Sequence, residues 1–392
     1  MKSVLRLFLA LTLSLLLFNC WPSIPVNSEK ILLGSWIHYK NTFICDGRVI
    51  RPQNNNDTVS EGQAYSMIRA VLMNDRETFE ECLTWTEALL SRKVSHGDHL
   101  LAWHYENGKV SDTTSASDAD IDYAFSLILA YRTWHDKYYI ILAKQVLESI
   151  LNQETQVING KLYLLPWPKN NNKPGDLVAQ NLSYYAPSHF KLFYEVSQDK
   201  RWLELADTTY NLLDRLLVYP GELHEGCIVP DWMALDQNGK IKPMPGKPVA
   251  YGWDAVRVPL RIAADYYLYN EPRALGVLHW FSKFFEKEFS RNSDTFMRKS
   301  SPKQLYENAL FYSATYAAME AAGSSSAPEM LQHLRKCIRN NSEGLYYNDP
   351  KDYYINSLSW LPEYYEKNKS IIHAKTKSVA SDKEITFSQN QY

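Results

Sequence analysis

The sequence predicts an all-α protein: six helical hairpins closed into a ring, an (α/α)6 barrel whose long loops form a cleft at one end. Three observations predict it. Helix-period apolar patterns fill twelve segments, roughly 30–41, 62–73, 76–91, 119–135, 137–153, 187–197, 200–217, 257–269, 273–289, 303–321, 327–340 and 352–366. Strand signals are few and short, such as Arg48-Val49-Ile50 and Lys161–Leu165. Tight turns at Asn74-Asp75, His135-Asp136, Gln198-Asp199 and Asn270–Pro272 alternate with long loops at Val94–Ser117, Asn159–Leu182 and Val218–Tyr251. Hairpins arranged in this way bring the N-termini of the even-numbered helices, and the loops that feed them, to one end of the ring.

The 392 residues are 45% hydrophobic and 22% charged, a globular composition with length for one large domain or two smaller ones. A net charge of −2, with no basic aromatic patch, argues against nucleic acid as a partner. The chain carries 27 Tyr, 11 Trp and 14 Phe. That composition suits an aromatic core, and equally a sugar-binding cleft, where an aromatic face packs on a pyranose ring.

Taken in order, residues 1–20 read as an export signal. Lys2 and Arg6 precede the apolar run Leu7–Phe18, which is too short to span a bilayer. Leu17-Phe18-Asn19-Cys20 resembles a lipobox, so the protein is either secreted or periplasmic, or is anchored to a membrane by lipid on Cys20. Residues 21–29 form a linker, 30–368 the folded domain, and 369–392 a polar tail without an apolar face. Cys45, Cys82, Cys227 and Cys337 are scattered without metal-ligand spacing, and no glycine-rich phosphate loop or HExxH motif occurs, so neither cofactor nor metal is expected.

The second helix opens with Ser60 and Gln63, a capping-box spacing, and Ala64, Met67, Ile68, Val71 and Leu72 fall on one apolar face. Glu61 sits at its mouth beside Gly62, where a glycine lets a ligand approach the backbone. The fourth helix begins Asp118-Ala119-Asp120-Ile121-Asp122 and is then apolar nearly all round, as a buried inner helix would be. Its three acids can cap the helix, and their mutual repulsion raises proton affinity, which a general acid needs. Pro187 fits the first turn of the sixth helix, and Pro259 starts or kinks the eighth. Asp254 lies before the eighth helix between aromatics and near Arg257, a pairing that keeps a carboxylate ionised, as a general base must be. Glu61, Asp118, Asp120 and Asp254 all lead even-numbered helices, so they gather on one face of the ring.

Several stretches carry a family resemblance. They are Ser60–Gln63, Asn74–Arg76, Leu83–Thr86, Ala116–Asp120, Ser183–Pro187, Pro230–Trp232 and Asp254–Val258. In this order they resemble glycoside hydrolase family 8, in its cellulase-type branch. The resemblance implies an (α/α)6 barrel and an inverting endo-β-1,4-glucanase, with Glu61 as general acid, Asp254 as general base and Asp118 holding the sugar at the cleavage subsite. It further implies a supporting role for Asp120 beside the substrate, stacking by Trp103, and cleft positions for Tyr185 and Arg257. Trp167, Trp232 and Trp253 are further stacking candidates. The implied partner is a β-glucan, and the cellulose-synthesis machinery is a second one. Xylanase, lichenase or chitosanase activity, or a non-catalytic glycan-binding role in exopolysaccharide export, are the alternatives.

Overall fold

The computed structural model describes residues 27–172, 177–218, 223, 229–289 and 308–370. The expected signal with Cys20, the linker up to residue 26, Cys227 and the tail beyond residue 370 lie outside them. Each of the twelve predicted segments holds a helix: α1 (Ser28–Phe43), α2 (Ser60–Leu72), α3 (Arg76–Leu89), α4 (Ser117–Trp134), α5 (Lys137–Gln153), α6 (Pro187–Ser197), α7 (Arg201–Val218), α8 (Val258–Tyr269), α9 (Pro272–Phe289), α10 (Ala309–Ala321), α11 (Ala327–Lys336) and α12 (Tyr353–Leu358). Helical backbone resumes over 361–370.

The even-numbered helices form the inner ring. Each packs on the next, α2 on α4, α4 on α6, and so on until α12 returns to α2. The odd-numbered helices lie outside, each against the inner helix that precedes it in the chain, and α1 packs on α12. The tight connections therefore run from inner to outer helix. A left-handed residue closes each one: Asn74 (φ 55°), His135 (φ 58°), Gln198 (φ 59°), Asn270 (φ 50°) and Gly323 (φ 69°). Asp75 and Asp136 then cap the following helix by accepting N–H bonds from Thr78 and Tyr138.

Burial separates the two rings. α4 and α10 are buried on nearly all sides, whereas α7 and α11 are amphipathic with a polar outer face. α2 departs from the single apolar face expected of it. Gln63, Tyr65, Ser66 and Arg69 are buried as fully as Ala64 and Met67, because α4 and α12 flank it and α1 and α3 back it. An apolar cavity of about 470 Å3 lies within the ring, lined by Ile68, Leu72, Phe125, Leu129 and Leu260 among others.

Three local expectations are corrected. The capping box does not form. Val59 is the N-cap, the Ser60 N–H donates to the Trp103 carbonyl (3.0 Å), and the Gln63 amide reaches Val49, Gly47 and Thr86 instead. The eleventh segment stops at Lys336, and Ile338–Asn341 pairs with Gly344–Tyr347 as a hairpin whose Gly344 has φ 128°. The first helix begins at Ser28, capped by Asn27, inside the expected linker. Pro259 stands in the first turn of α8 and starts the helix.

Two small sheets flank the inner N-termini. One joins β3 (Thr58–Val59), β4 (His104–Glu106) and β5 (Lys109–Asp112), and the other has the order β10 (Ile241–Pro243), β9 (Met233–Leu235), β8 (Val178–Gln180); the remaining short strands pair as hairpins, β1 (Ile44–Cys45) with β2 (Arg48–Val49) and β6 (Thr155–Ile158) with β7 (Lys161–Leu164). No helix among the described residues is long and apolar enough to cross a membrane. Hairpin packing is concentrated at residues such as Trp202 on α7, which is fully buried and lies 4.8 Å and 5.8 Å, ring to ring, from Phe193 and Phe190 on α6. Trp202→Ala is expected to lower unfolding free energy by about 3–5 kcal/mol in urea titrations, the usual cost of such a cavity.

Candidate active site

Glu61 lies in the first turn of α2, immediately after β3. Asp118 is in the first turn of α4. Asp254 precedes a 3-10 turn, Ala255–Arg257, that runs into α8. Ring closure brings these three carboxylates, far apart in sequence, onto one guanidinium. Arg257 Nη1 donates to the Tyr65 hydroxyl (2.8 Å), Asp118 Oδ2 (2.9 Å) and Glu61 Oε2 (3.4 Å). Its Nη2 donates to Ser183 Oγ (2.7 Å) and Asp254 Oδ1 (3.0 Å). Arg257 is only 2% exposed, so this cation has little other compensation than the carboxylates around it.

One positive charge facing three carboxyls leaves room for a proton, and the surroundings choose where it sits. Burial pushes the Glu61 carboxyl up to about 7; Arg257 opposes the shift, and Asp118 and Asp254 reinforce it. A helix N-terminus alone would pull Glu61 the other way. Tyr353 donates to Glu61 Oε1 (3.2 Å), and Gly62 makes room for that ring, since a Cβ there would lie 3.1 Å from it. The glycine thus admits a tyrosine of α12, rather than the ligand expected there. Asp118 is also raised by burial, against Arg257, but it holds the shorter contact to the guanidinium. The Asp254 side chain is 30% exposed, with one oxygen paired to Arg257.

The acids of α4 point to three different partners. Asp118 meets Arg257. Asp122 is held by both terminal nitrogens of Arg261 (2.6 Å each), and its carboxyl is pulled far below the usual range by Arg261 and His189 despite burial. Asp120 faces the other way. Its Oδ1 accepts from the Leu101 N–H (2.8 Å), and it adjoins Glu154, which Ser115 Oγ holds at 2.6 Å. Burial pushes Glu154 up to about 8 and Asp120 well above its ordinary value, and the Glu154 charge adds to the rise of Asp120.

The walls are aromatic. Trp103, Trp167, Trp232 and Trp253 are all half-buried; the Trp103 carbonyl accepts from Ser60, beside Glu61, and Trp253 directly precedes Asp254. Trp167 and Trp232 stack at 6.0 Å, and Tyr184 meets Trp232 edge-on at 6.0 Å. Trp253 is placed by the Tyr354 hydroxyl, which donates to its carbonyl (2.8 Å). Trp103 stacks on His104, whose Nε2 lies 2.9 Å from Asp57.

Three site expectations change. Asp120 is fully buried and turned from the cleft, so it supports the Leu101–Trp103 loop rather than touching a substrate. Tyr185 is 1% exposed, its hydroxyl spent on Gln180 and the Leu164 backbone; its neighbour Tyr184 instead faces Arg257, at 5.4 Å. Both terminal nitrogens of Arg257 donate to protein groups, so it organises the carboxylates rather than gripping sugar. Tyr65, Tyr353 and Asp231, none of which was given a role from sequence, join the cluster; Asp231 lies in the Pro230–Trp232 stretch that carries the family resemblance. Tyr65 stands four residues after Glu61 on the same helix face, a spacing that could have found it.

A carboxyl that keeps its proton near neutrality, close to a carboxylate open to water, is what acid-assisted cleavage of an acetal requires, and the aromatic walls suit sugar rings. Such a cleft on a six-hairpin toroid is that of a glycoside hydrolase. The sequence pattern described as Glycosyl hydrolases family 8 matches residues 13–368, and the chain belongs to that family. It is 27% identical over 356 residues to Endoglucanase A of Acetivibrio thermocellus, covering 86% of this chain and 70% of that protein. It is 31% identical over 233 residues to an Endoglucanase of Cellulomonas uda, covering 58% of this chain and 62% of that protein. In fold it resembles the endo-1,4-D-glucanase from Vibrio fischeri ES114, with a TM-score of 0.68 at 24% identity, over 86% of this chain and 94% of that one.

Because Asp118 raises the proton affinity of Glu61, Asp118→Asn removes that repulsion and leaves Arg257 freer to attract Glu61. Both effects favour ionised Glu61. The alkaline limb of the kcat/KM–pH profile, expected near pH 7 in the native enzyme, should therefore move to lower pH in this variant. A shift to higher pH would contradict the account.

Proposed function

We propose that the protein is an inverting endo-β-1,4-glucanase, with Glu61 as general acid and Asp254 as general base. The observation that carries this reading is the Arg257 bridge. A single guanidinium reaches Glu61, Asp118 and Asp254, while burial keeps Glu61 protonated near neutrality. In an inverting pair the two carboxyls stand roughly 6.5–9.5 Å apart, so as to admit a water.

Glu61 gives its proton to the glycosidic oxygen as the bond from that oxygen to the anomeric carbon breaks. A water attacks the same carbon from the opposite face and loses a proton to Asp254. The new reducing end is thus released with inverted configuration. Glu61 is left ionised and Asp254 protonated, and exchange with solvent resets both. Asp118, anchored by Arg257 and by an N–H bond from Ala119 (2.9 Å), holds the distorted sugar at the cleavage point. The half-buried tryptophans bind the neighbouring sugars. The names of the relatives, endoglucanases of Acetivibrio thermocellus and Cellulomonas uda, support a glucan as substrate.

Glu61→Gln is expected to lower turnover on carboxymethylcellulose by about 10²–10⁴-fold, the usual contribution of general acid catalysis, without change in the circular dichroism spectrum. Proton NMR of the first product should show the α-anomer. Net retention would refute the Glu61/Asp254 pairing, and faster cleavage of xylan, mixed-linkage glucan or chitosan would move the specificity elsewhere in the family.

A further inference from the structure

Asp231 and Gly252 form a unit that the proposed chemistry does not use. Asp231 follows Pro230, ahead of β9, and its own N–H donates to the Ala250 carbonyl (2.8 Å). Its Oδ1 accepts three backbone N–H bonds, from Gly252 (2.9 Å), Asp254 (3.1 Å) and Ala255 (2.8 Å). One carboxylate oxygen thus gathers the amides of the turn on which Asp254 sits. The other oxygen fills the space beside Gly252: a Cβ there would lie 2.2 Å from Asp231 Oδ2. Glycine at this position is a requirement of space imposed by Asp231.

The geometry matters because Asp254 is otherwise loosely held. Its side chain is 30% exposed and its one bonded partner is Arg257, three residues on in the same turn. Arg257 is itself fixed by Tyr65, Asp118 and Ser183. Asp231 supplies the second anchor, on the backbone of the base itself. Burial pushes the Asp231 carboxyl up to about 6, the three N–H bonds pull it down, and the neighbouring Asp254 charge adds to the rise.

We propose that Asp231 is a positioning residue for the hydrolytic step: through Oδ1 it fixes the 252–255 turn so that Asp254 faces the attacking water, and Gly252 is its steric counterpart. The proposal rests on Asp254 being the base. A base displaced by about 1 Å can lose about 10²-fold in rate with little change in ground-state binding.

The test is steady-state kinetics of the full chain on a soluble cello-oligosaccharide, with melting temperatures, for Asp231→Ala, Asp231→Asn, Gly252→Ala and Asp254→Asn. Asp231→Ala should lower kcat by about 10²-fold with KM within about threefold. Asp231→Asn keeps an oxygen that can accept the three N–H bonds, and should recover at least about tenfold of that loss. Gly252→Ala pushes on the same contact from the other side and should lower kcat without raising KM, which keeps the proposal testable if Asp231→Ala fails to fold. Asp231→Asn as inactive as Asp231→Ala would overturn it, as would an unchanged kcat in Gly252→Ala, or losses that follow KM or melting temperature. An active Asp254→Asn would instead refute the base assignment, whatever the Asp231 variants do.

Discussion

The site depends on one buried guanidinium. Arg257 stands at the end of a 3-10 turn, where the chain passes from the loop bearing Asp254 into α8. From there it reaches residues of α2, α4 and the turn before α6. It is therefore the point at which four of the six hairpins are tied together at the cleft end. A buried cation of this kind is costly unless its partners are placed with care, and removing one of them leaves charge stranded. The toroid meets that demand because every inner helix points its N-terminus at the same place.

A second pair repeats the pattern one turn deeper. Asp118 and Asp122 on α4 are spaced i, i+4, and so are Arg257 and Arg261 at the start of α8. The two rungs, Asp118–Arg257 and Asp122–Arg261, cross the ring between facing elements. The lower rung is satisfied by a bidentate contact and by His189, which stacks on Phe125 at 3.6 Å. The upper rung is overloaded with acid, having Glu61 and Asp254 besides Asp118. That difference makes the lower pair a strut and the upper one a place where a proton can be stored and moved.

Much of the fold was legible because helix period, turn residues and loop length repeat with each hairpin. The positions of Glu61, Asp118 and Asp254 followed from ring connectivity once the even-numbered helices were known to share an end. What could not be read were competitions decided by tertiary partners. Gln63 has the spacing of a capping box, but Val49, Gly47 and Thr86 claim its amide. Tyr184 and Tyr185 are adjacent, and only the backbone turn at 182–184 decides which faces Arg257. Asp120 looks like its neighbours in sequence, yet two residues along the helix rotate it by about 200° from Asp118, to the opposite side, against Glu154. The sequence does hold the spacing of the acid–arginine ladder, but pairing α4 with α8 needs the ring to be closed first.

The opposition at Glu61 is likewise an outcome of three dimensions. A carboxylate at a helix N-terminus should be easily ionised, and Arg257 should ionise it further. Burial outweighs the guanidinium, with Asp118 and Asp254 assisting. The most direct measurement is a carbon-13 NMR titration of the Glu61 side-chain carboxyl in the folded protein. A midpoint near pH 7 is the predicted result, and a midpoint between about 4 and 5, the range of an unperturbed glutamate, would contradict the account.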